Sequence, residues 1–368
     1  MRLDQITFTR FIAALTVVFF HYGSQAFPLT IPYLKNVVTA GPIAVNYFYL
    51  LSGFIMAIAY YQPSNKTAFS SKQYWLARFA RIYPVYLIAL LLISIGKLKH
   101  PDIGTALFLN LTLLQSWIPQ YALSLNSPGW SLSVEAFFYL CFPFILWVIY
   151  RSSLKKITIF ALFIWLATQV THTLLLNSDG YQAKNMLHNF IYYHPLMHIN
   201  AFILGVIVGV VFKDKPEIMK VASRHSTTGI ILTSITLALF IAFQENISDA
   251  LGFEIALTNG QLAPLFLLFI IFLSLNRGII SRVFSHPWLV LLGEASFSLY
   301  ILQRPVHGIY EKTFQKFIHL PEALHFYLYL LILVLISIAS YKLFETPARR
   351  LIRSLTKGSK KAVITQTG

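Results

Sequence analysis

The sequence has little charge and almost no cysteine. Charged residues make up 11% of its 368 residues, less than half of the roughly 25% typical of soluble domains, so an ordinary soluble protein is excluded. The one cysteine, Cys141, excludes an intramolecular disulfide framework and a cysteine-rich metal site. Hydrophobic residues, in contrast, reach 57%, and the mean hydropathy is +0.65. These values indicate an integral membrane protein, which is surrounded by lipid instead of water.

The sequence also lacks the alternation of apolar and polar residues over about ten positions that marks a membrane β-barrel. Its apolar residues come in runs of about 17 to 25, long enough for a helix to cross a bilayer. We therefore predict an all-α fold, a polytopic bundle of ten transmembrane helices. The ten spans are expected at 6–27, 41–61, 82–97, 133–150, 157–176, 196–212, 227–244, 261–276, 288–306 and 325–343.

Segment 103–118 leaves the number of spans open, because it is apolar but short and contains Asn110, Gln115 and Ser116. Lys and Arg favour the cytoplasmic side of a membrane, and their distribution distinguishes ten spans from eleven. With ten spans and a cytoplasmic N-terminus, 22 of the 29 Lys and Arg residues lie inside, whereas with eleven spans only 10 do. We therefore predict that 103–118 is a short re-entrant or interfacial segment and that both termini are cytoplasmic.

The formal net charge of +16 is carried mainly by short loops between apolar runs, so it indicates membrane orientation rather than nucleic-acid binding. We expect a multi-pass inner-membrane protein with an integral-membrane domain at 1–345 and a basic cytoplasmic tail at 346–368. No internal repeat is visible, which gives no support to the inverted-repeat construction common in transporters.

Ionisable side chains at membrane depth are costly and usually mark a functional site. Arg10 and His21 lie on the first predicted span, eleven residues apart, which is about 16 Å and three turns of a helix, so they share a face. Arg10 is expected near the cytoplasmic boundary and His21 well inside the membrane. A histidine there is suited to taking a hydroxyl proton and returning it to a leaving thiolate. By position alone, a histidine that only hydrogen-bonds a neighbouring helix is the other interpretation.

Two further polar groups lie on the second span and just before the third. Ser52 and Gly53 suit close helix packing, while a serine nucleophile is the alternative that needs an adjacent base. Arg78 and Arg81 are three residues apart, so they share a helical face at the cytoplasmic boundary. Paired arginines bind phosphates such as those of coenzyme A, and they serve equally to anchor lipid headgroups.

Two carboxylates complete the set of candidate groups. Glu135 lies in the first turns of the fourth span, with Ser131 as the expected N-cap, and a carboxylate there stabilises the helix dipole, so structural and catalytic roles both stay open. Glu345 ends the last span at the level of the arginines. We expect it to form a salt bridge with one of them, and Arg10 is the partner we would test first.

Three histidines have spacing that recurs in metal sites. His194 and His198 are four residues apart and His188 precedes them, but Pro195 interrupts the helix and no carboxylate lies nearby. The sequence therefore favours no metal at this position.

Taken together, these residues resemble the acyltransferase-3 family of bacterial membrane proteins, which includes O-antigen and other polysaccharide O-acetyltransferases. The resemblance covers nearly the whole chain and consists of six motifs in order. They are Arg10 and His21 with ten residues between them, the stretch 45–54, Arg78 and Arg81 before Tyr83-Pro84, Trp130-Ser131-Leu132 with Glu135, the stretch Ser296–Tyr300, and Glu345 with Pro347.

The resemblance implies a ten-helix catalytic domain of the bacterial inner membrane that uses acyl-CoA, usually acetyl-CoA, to esterify hydroxyls of glycans or other acceptors. It implies catalytic roles for Arg10, His21, Glu135 and Glu345, binding of acyl-CoA by Arg78 and Arg81, and acceptor binding by Asn46, Trp130, Ser131, Tyr300 and Gln303. No metal or permanently bound cofactor is expected. The expected partners are acyl-CoA, a glycan or other hydroxyl-bearing acceptor, and the lipid bilayer, with no nucleic acid, and a homodimer is compatible with the sequence.

The sequence departs from the family at two positions. Asn46 stands where the family commonly has Asp, and Gln303 stands where it often has His. Larger members continue into a hydrolase-like domain, so we expect this chain either to complete transfer itself or to hand the acyl group to a partner. The alternative function is that of a membrane transporter or flippase of a glycan or lipid-linked precursor, and a non-enzymatic membrane scaffold is a third.

Overall fold

The computed structural model describes residues 3–24, 26–27, 29–63, 69–98 and 101–354. Within these ranges the chain is helical and contains no strand, which confirms the predicted all-α class. The α-helices are α1 (Asp4–Tyr22), α2 (Leu34–Val38), α3 (Gly41–Tyr60), α4 (Ser71–Ile95), α5 (Ile103–Leu111), α6 (Trp130–Arg151), α7 (Leu154–Leu176), α8 (Met186–Tyr193), α9 (Ile199–Asp214), α10 (Pro216–Arg224), α11 (Ser226–Ala242), α12 (Gln244–Leu251), α13 (Ala263–Leu275), α14 (Ile279–Phe284), α15 (Pro287–Tyr310) and α16 (Glu322–Ser340).

A helix lies at each of the ten predicted spans, but ten membrane crossings are not confirmed. Among the described residues, five helices are long and apolar enough to cross a bilayer: α3, α4, α6, α7 and the helix that contains α16. The pair α10 and α11, bent by 79°, counts as a sixth if it forms one broken span. The other helices differ in two ways, since α1 and α15 carry charged residues along their length, and α9 and α13 have only 16 and 13 residues.

The segment predicted to be re-entrant or interfacial, 103–118, contains no helix long enough to cross a bilayer. Its helix α5 has nine residues, or about 14 Å, and short 3₁₀ turns follow it. Its polar side chains bind the backbone around the start of α6, because Gln115 Nε2 donates to Gly129 O at 2.9 Å and Ser116 Oγ donates to Trp130 O at 2.9 Å. The segment thus fixes the end of α6 that carries the Trp130 motif.

Two glycine contacts bring the central helices together. A Cβ atom on Gly53 of α3 would lie 2.2 Å from Phe202 O, and one on Gly205 of α9 would lie 2.1 Å from Leu50 O. The close packing predicted at Gly53 is therefore confirmed, and it is reciprocal. On the other side, a Cβ on Gly293 of α15 would lie 2.1 Å from Thr7 O of α1. Helices α9, α3, α1 and α15 consequently form a tightly packed centre.

The last helix continues beyond the predicted domain boundary at 345. It passes through a π-helical turn at Tyr341–Glu345 and is helical up to Ser354, the last described residue. The rest of the predicted basic tail, 355–368, lies outside the described residues.

Candidate active site

A cavity of about 710 Å³ lies between α1, α3, α4, α6 and α15. We call it the arginine cavity, because Arg10, Arg78 and Arg81 line it together with one carboxylate, Glu135. Ser131 and Tyr300, two of the predicted acceptor-binding residues, line it as well. The structure therefore brings six of the predicted site residues together from four helices, with an excess of positive charge.

The three guanidinium groups of the arginine cavity are held differently. Arg78 Nη2 donates to Tyr60 Oη at 3.3 Å, and its guanidinium lies about 6 Å from the rings of Tyr60, Tyr74 and Tyr139. Within the described part of the chain, Arg10 and Arg81 form no hydrogen bond or ion pair. Both side chains are partly exposed, and guanidinium groups that lack a protein acceptor in a cavity are available to bind an anionic ligand.

Glu135 is held at the cavity wall by two hydroxyl groups. Tyr139 Oη, one turn further along α6, donates to its carboxylate, and Ser52 Oγ of α3 donates to Oε1 at 3.4 Å. Ser52, interpreted from the sequence mainly as a packing residue, therefore also lines the cavity. Sequence analysis missed Tyr139, although its spacing of four residues from Glu135 was a usable signal.

Ser131 and Tyr300 join α6 to α15 at the cavity wall. Tyr300 Oη donates to Ser131 Oγ at 2.8 Å, and Ser131 Oγ donates to Pro128 O at 2.9 Å. The prediction that Ser131 is the N-cap of this helix is wrong, because the helix begins at Trp130 and its N-cap is Gly129, two residues before Ser131. The hydroxyl of Ser131 therefore bridges two helices instead of capping one.

Asn46 and Trp130 do not line the arginine cavity. The Trp130 ring packs among the rings of Tyr49, Tyr193 and His198, with centroids 5.0 to 6.4 Å away. Asn46 is 2% exposed, and its Nδ2 has no partner among the described residues. The structure thus separates these two predicted acceptor-binding residues from the cavity.

His21 lies in the last turn of α1 and is exposed. The first helix ends at Tyr22, with Gly23 at the C-cap, and not at residue 27 as predicted, so His21 lies close to the end of the helix. Its expected depth in the membrane stays a prediction. His21 does not line the arginine cavity. The link between them is Gln303, whose Oε1 lies 3.0 Å from His21 Nδ1 and whose Nε2 donates to the backbone O of Tyr300 at 2.7 Å.

The contacts of Gln303 determine the proton on His21. Because the amide nitrogen of Gln303 is used by Tyr300 O, its oxygen faces the imidazole. An amide oxygen only accepts hydrogen bonds, so Nδ1 of His21 carries the hydrogen and Nε2 is the basic nitrogen of the neutral ring. Gln303 is fully buried, which leaves its amide little freedom to turn.

Glu345 is bound by its own helix and by α15, and it does not line the arginine cavity. It is 2% exposed, accepts from Ser298 Oγ at 3.2 Å and forms an ion pair with Arg349. The predicted salt bridge to Arg10, or to either of the other cavity arginines, is therefore wrong. The physical reason is local, since Arg349 follows four residues later on the same helical face. Sequence analysis did not use Arg349.

The three histidines weighed as metal ligands have separate partners. His188 Nδ1 lies 3.0 Å from Tyr181 Oη, the His194 ring packs against Trp117, and His198 Nε2 donates to Tyr192 O at 2.9 Å. Over the ranges the structure describes, no group of three His, Cys, Asp or Glu is placed to hold a metal ion.

Comparison with known proteins gives a family match over most of the chain. The sequence model of the family described as "Acyltransferase domain" matches residues 3–342. The chain is 28% identical over 333 residues to the acyltransferase MdmB of Streptomyces mycarofaciens, which covers 82% of this chain and 78% of that protein. It is 23% identical over 368 residues to a Staphylococcus aureus (strain COL) protein named "Putative O-acetyltransferase", which covers 93% of this chain. The chain spans 56% of the length of that second relative. No solved structure gives a significant match.

Proposed function

The chain belongs to the acyltransferase-3 family, and from this membership we propose that it transfers an acyl group, with acetyl as the expected one, from acyl-CoA to a hydroxyl group. The acceptor in this proposal is a cell-envelope glycan or another hydroxyl-bearing molecule. The relative named as an O-acetyltransferase supports transfer to oxygen. The observation that carries the proposal is the arginine cavity, in which Arg10 and Arg81 have no hydrogen-bond or ion-pair partner among the described residues.

We propose that ten helices cross a bacterial inner membrane, with both termini in the cytoplasm. Helices at all ten predicted positions and the bias of Lys and Arg support this topology. The short α9 and α13 require a thinner bilayer around them. In this orientation, Arg78 and Arg81 in the first half of α4 lie towards the cytoplasm, and His21 at the end of α1 lies towards the outer side.

Acyl-CoA binds in the arginine cavity from the cytoplasmic side in this proposal. Arg78 and Arg81 contact the phosphates of the nucleotide, since guanidinium groups bind phosphate oxygens in pairs. Arg10, on the opposite helix, contacts the donor nearer the thioester. The carboxylate of Glu135 offsets part of the positive charge of the three arginines in the cavity. Glu345 positions the end of the last helix through its contacts with Ser298 and Arg349.

The chemical step takes place between Tyr300 and His21. Nε2 of His21 removes the proton of the acceptor hydroxyl, and the hydroxyl oxygen bonds to the thioester carbonyl carbon. The carbon–sulfur bond breaks, and the coenzyme A thiolate leaves with the proton that His21 returns. Gln303 keeps His21 in the tautomer that this step requires. Transient acylation of His21 before transfer is the covalent form of the same reaction.

The proposal is tested with the full-length chain purified into lipid nanodiscs. We expect free coenzyme A to be released from acetyl-CoA only when delipidated envelope glycan is added, and the glycan to gain ester-linked acetate that mild base removes. Glycan that crosses the bilayer of vesicles containing the chain without any release of coenzyme A would contradict the proposal and favour a transporter or flippase. Acetyl label retained on the chain without acceptor would show the covalent form.

A further inference from the structure

A second cavity, of about 500 Å³, lies at the other end of α1 and α15, where α16 begins. We call it the tyrosine–histidine pocket, because Tyr22, Tyr310, Tyr329, His307 and His325 line it. Glu322, the first residue of α16, is its one carboxylate among the described residues, and no Lys or Arg of the described chain lines it.

His21 does not line the pocket, but Tyr22 and Gln303 link the two. Tyr22 follows His21 in the chain, and its ring stacks on His307 with centroids 4.0 Å apart. Tyr329 Oη donates to the backbone O of Gln303 at 2.9 Å, and the side chain of Gln303 accepts from His21. The same buried glutamine therefore contacts the wall of this pocket and the imidazole.

The lining suits a ligand that differs from acyl-CoA. Phosphates have no cationic partner in the pocket and would lie near the carboxylate of Glu322. Aromatic rings offer apolar faces, while phenol, imidazole, amide and carboxylate groups donate and accept hydrogen bonds. An uncharged ring with several hydroxyl groups matches both kinds of surface.

Tyr310 supplies a hydrogen-bond donor that the protein leaves available. The backbone N–H of Leu320 donates to Nε2 of His325 at 3.4 Å, so Nδ1 of His325 carries the hydrogen and donates to Tyr310 Oη at 2.8 Å. The hydrogen of the Tyr310 hydroxyl then has no acceptor among the described residues, although Tyr310 is only 2% exposed. An oxygen acceptor from a ligand would satisfy this buried donor.

We propose that the tyrosine–histidine pocket binds the acceptor, and that the acceptor presents an uncharged, polyhydroxylated ring such as a sugar residue. This inference rests on the proposed acyl transfer. The sugar enters from the side opposite the donor, and one of its hydroxyl groups reaches Nε2 of His21. The pocket thereby selects which hydroxyl is acylated.

Tyr310→Phe removes the hydroxyl donor of Tyr310 and keeps the aromatic ring. Tyr327→Phe is the matched control on α16, because the Tyr327 hydroxyl donates to Phe27 O and Tyr327 lines neither cavity. The full-length chain in nanodiscs is supplied with radiolabelled acetyl-CoA and delipidated envelope glycan from cells that lack the gene. We expect the half-saturating glycan concentration to rise about tenfold in Tyr310→Phe, the effect of roughly one hydrogen bond. The half-saturating acetyl-CoA concentration stays unchanged, and Tyr327→Phe matches the parent chain.

Glu322→Gln gives a second test, because Glu322 is exposed at the start of α16 and its amide should not disturb folding. An unchanged half-saturating glycan concentration in both Tyr310→Phe and Glu322→Gln would overturn the pocket assignment. Glycan oxidised with periodate, which destroys vicinal diols, should no longer accept acetate, and full acceptance would overturn the sugar class. If the parent chain transfers no label at all, the proposed function fails and not the pocket alone.

Discussion

The arginine cavity and the tyrosine–histidine pocket are formed on the same two helices, α1 and α15, yet their chemistry is opposite. The first contains three guanidinium groups. The second contains phenol, imidazole and one carboxylate, and no cation from the described residues. Gln303 contacts elements of both, through Tyr300 on one side and Tyr329 on the other. This difference indicates that, in the proposed function, the charged donor and the uncharged acceptor approach His21 from the two cavities, which lie at opposite ends of α1 and α15.

The largest effect is expected when the group between the two cavities is removed. His21→Ala should lower the rate of transfer about 10²- to 10⁴-fold, the usual contribution of a general base, and leave acetyl-CoA binding unchanged, because His21 does not line the arginine cavity. Release of labelled coenzyme A measures the rate, and His225→Ala, an exposed histidine after α10, is the control. Undiminished acetyl-CoA consumption in His21→Ala would remove His21 from the mechanism.

A smaller and one-sided effect is expected in the arginine cavity. Arg81→Ala removes charge-assisted hydrogen bonds worth about 1.5 to 3 kcal/mol, so the half-saturating acetyl-CoA concentration should rise roughly 10- to 100-fold. The half-saturating glycan concentration should not change. Arg151→Ala, which removes a guanidinium stacked on Trp147 away from the cavity, is the matched control. A rise for glycan rather than for acetyl-CoA would break the comparison of the two cavities.

The smallest of the three effects is expected at Gln303. Gln303→Met keeps the length of the side chain but cannot accept from His21, so the tautomer is no longer fixed, and kcat should fall about tenfold, as for loss of one buried hydrogen bond. Both half-saturating concentrations should stay near those of the parent chain. Gln303→Glu retains an accepting oxygen and should recover most of the rate. If both variants lost thermal stability and rate alike, Gln303 would be a packing residue only.

The fold class followed from composition and apolar run length, because the backbone of a lipid-embedded chain must satisfy its own hydrogen bonds. The positions of ten helices followed as well, but crossing the membrane also depends on helix length and charge. Helix α13 is short, and α1 carries Asp4, Arg10 and His21. Hydropathy alone places the centre of such a helix and not its ends, which is why the first span was predicted to reach residue 27 although α1 ends at Tyr22.

The candidate site was predictable where one helix carries its own signal. The spacing of Arg78 and Arg81 indicated a shared face, and both line the cavity. Pairings between distant helices were not predictable, because a sequence does not show which helices are neighbours. Glu345 accordingly forms its salt bridge with Arg349 and not with Arg10. Whether the predicted residues act as assigned stays a prediction for the experiments above.

The reciprocal glycine contact between α3 and α9 has a mechanical consequence for the arginine cavity. The carbonyl groups of Leu50 and Phe202 occupy the space where side chains would begin, so α3 can neither slide nor roll on α9 without steric overlap. The wall that carries Ser52 is therefore the closely packed one. Helix α4 has a much smaller interface with α6 and α15. Under the proposed function, we therefore expect a donor with a bulkier acyl chain to require outward bending of α4, which contains Pro84.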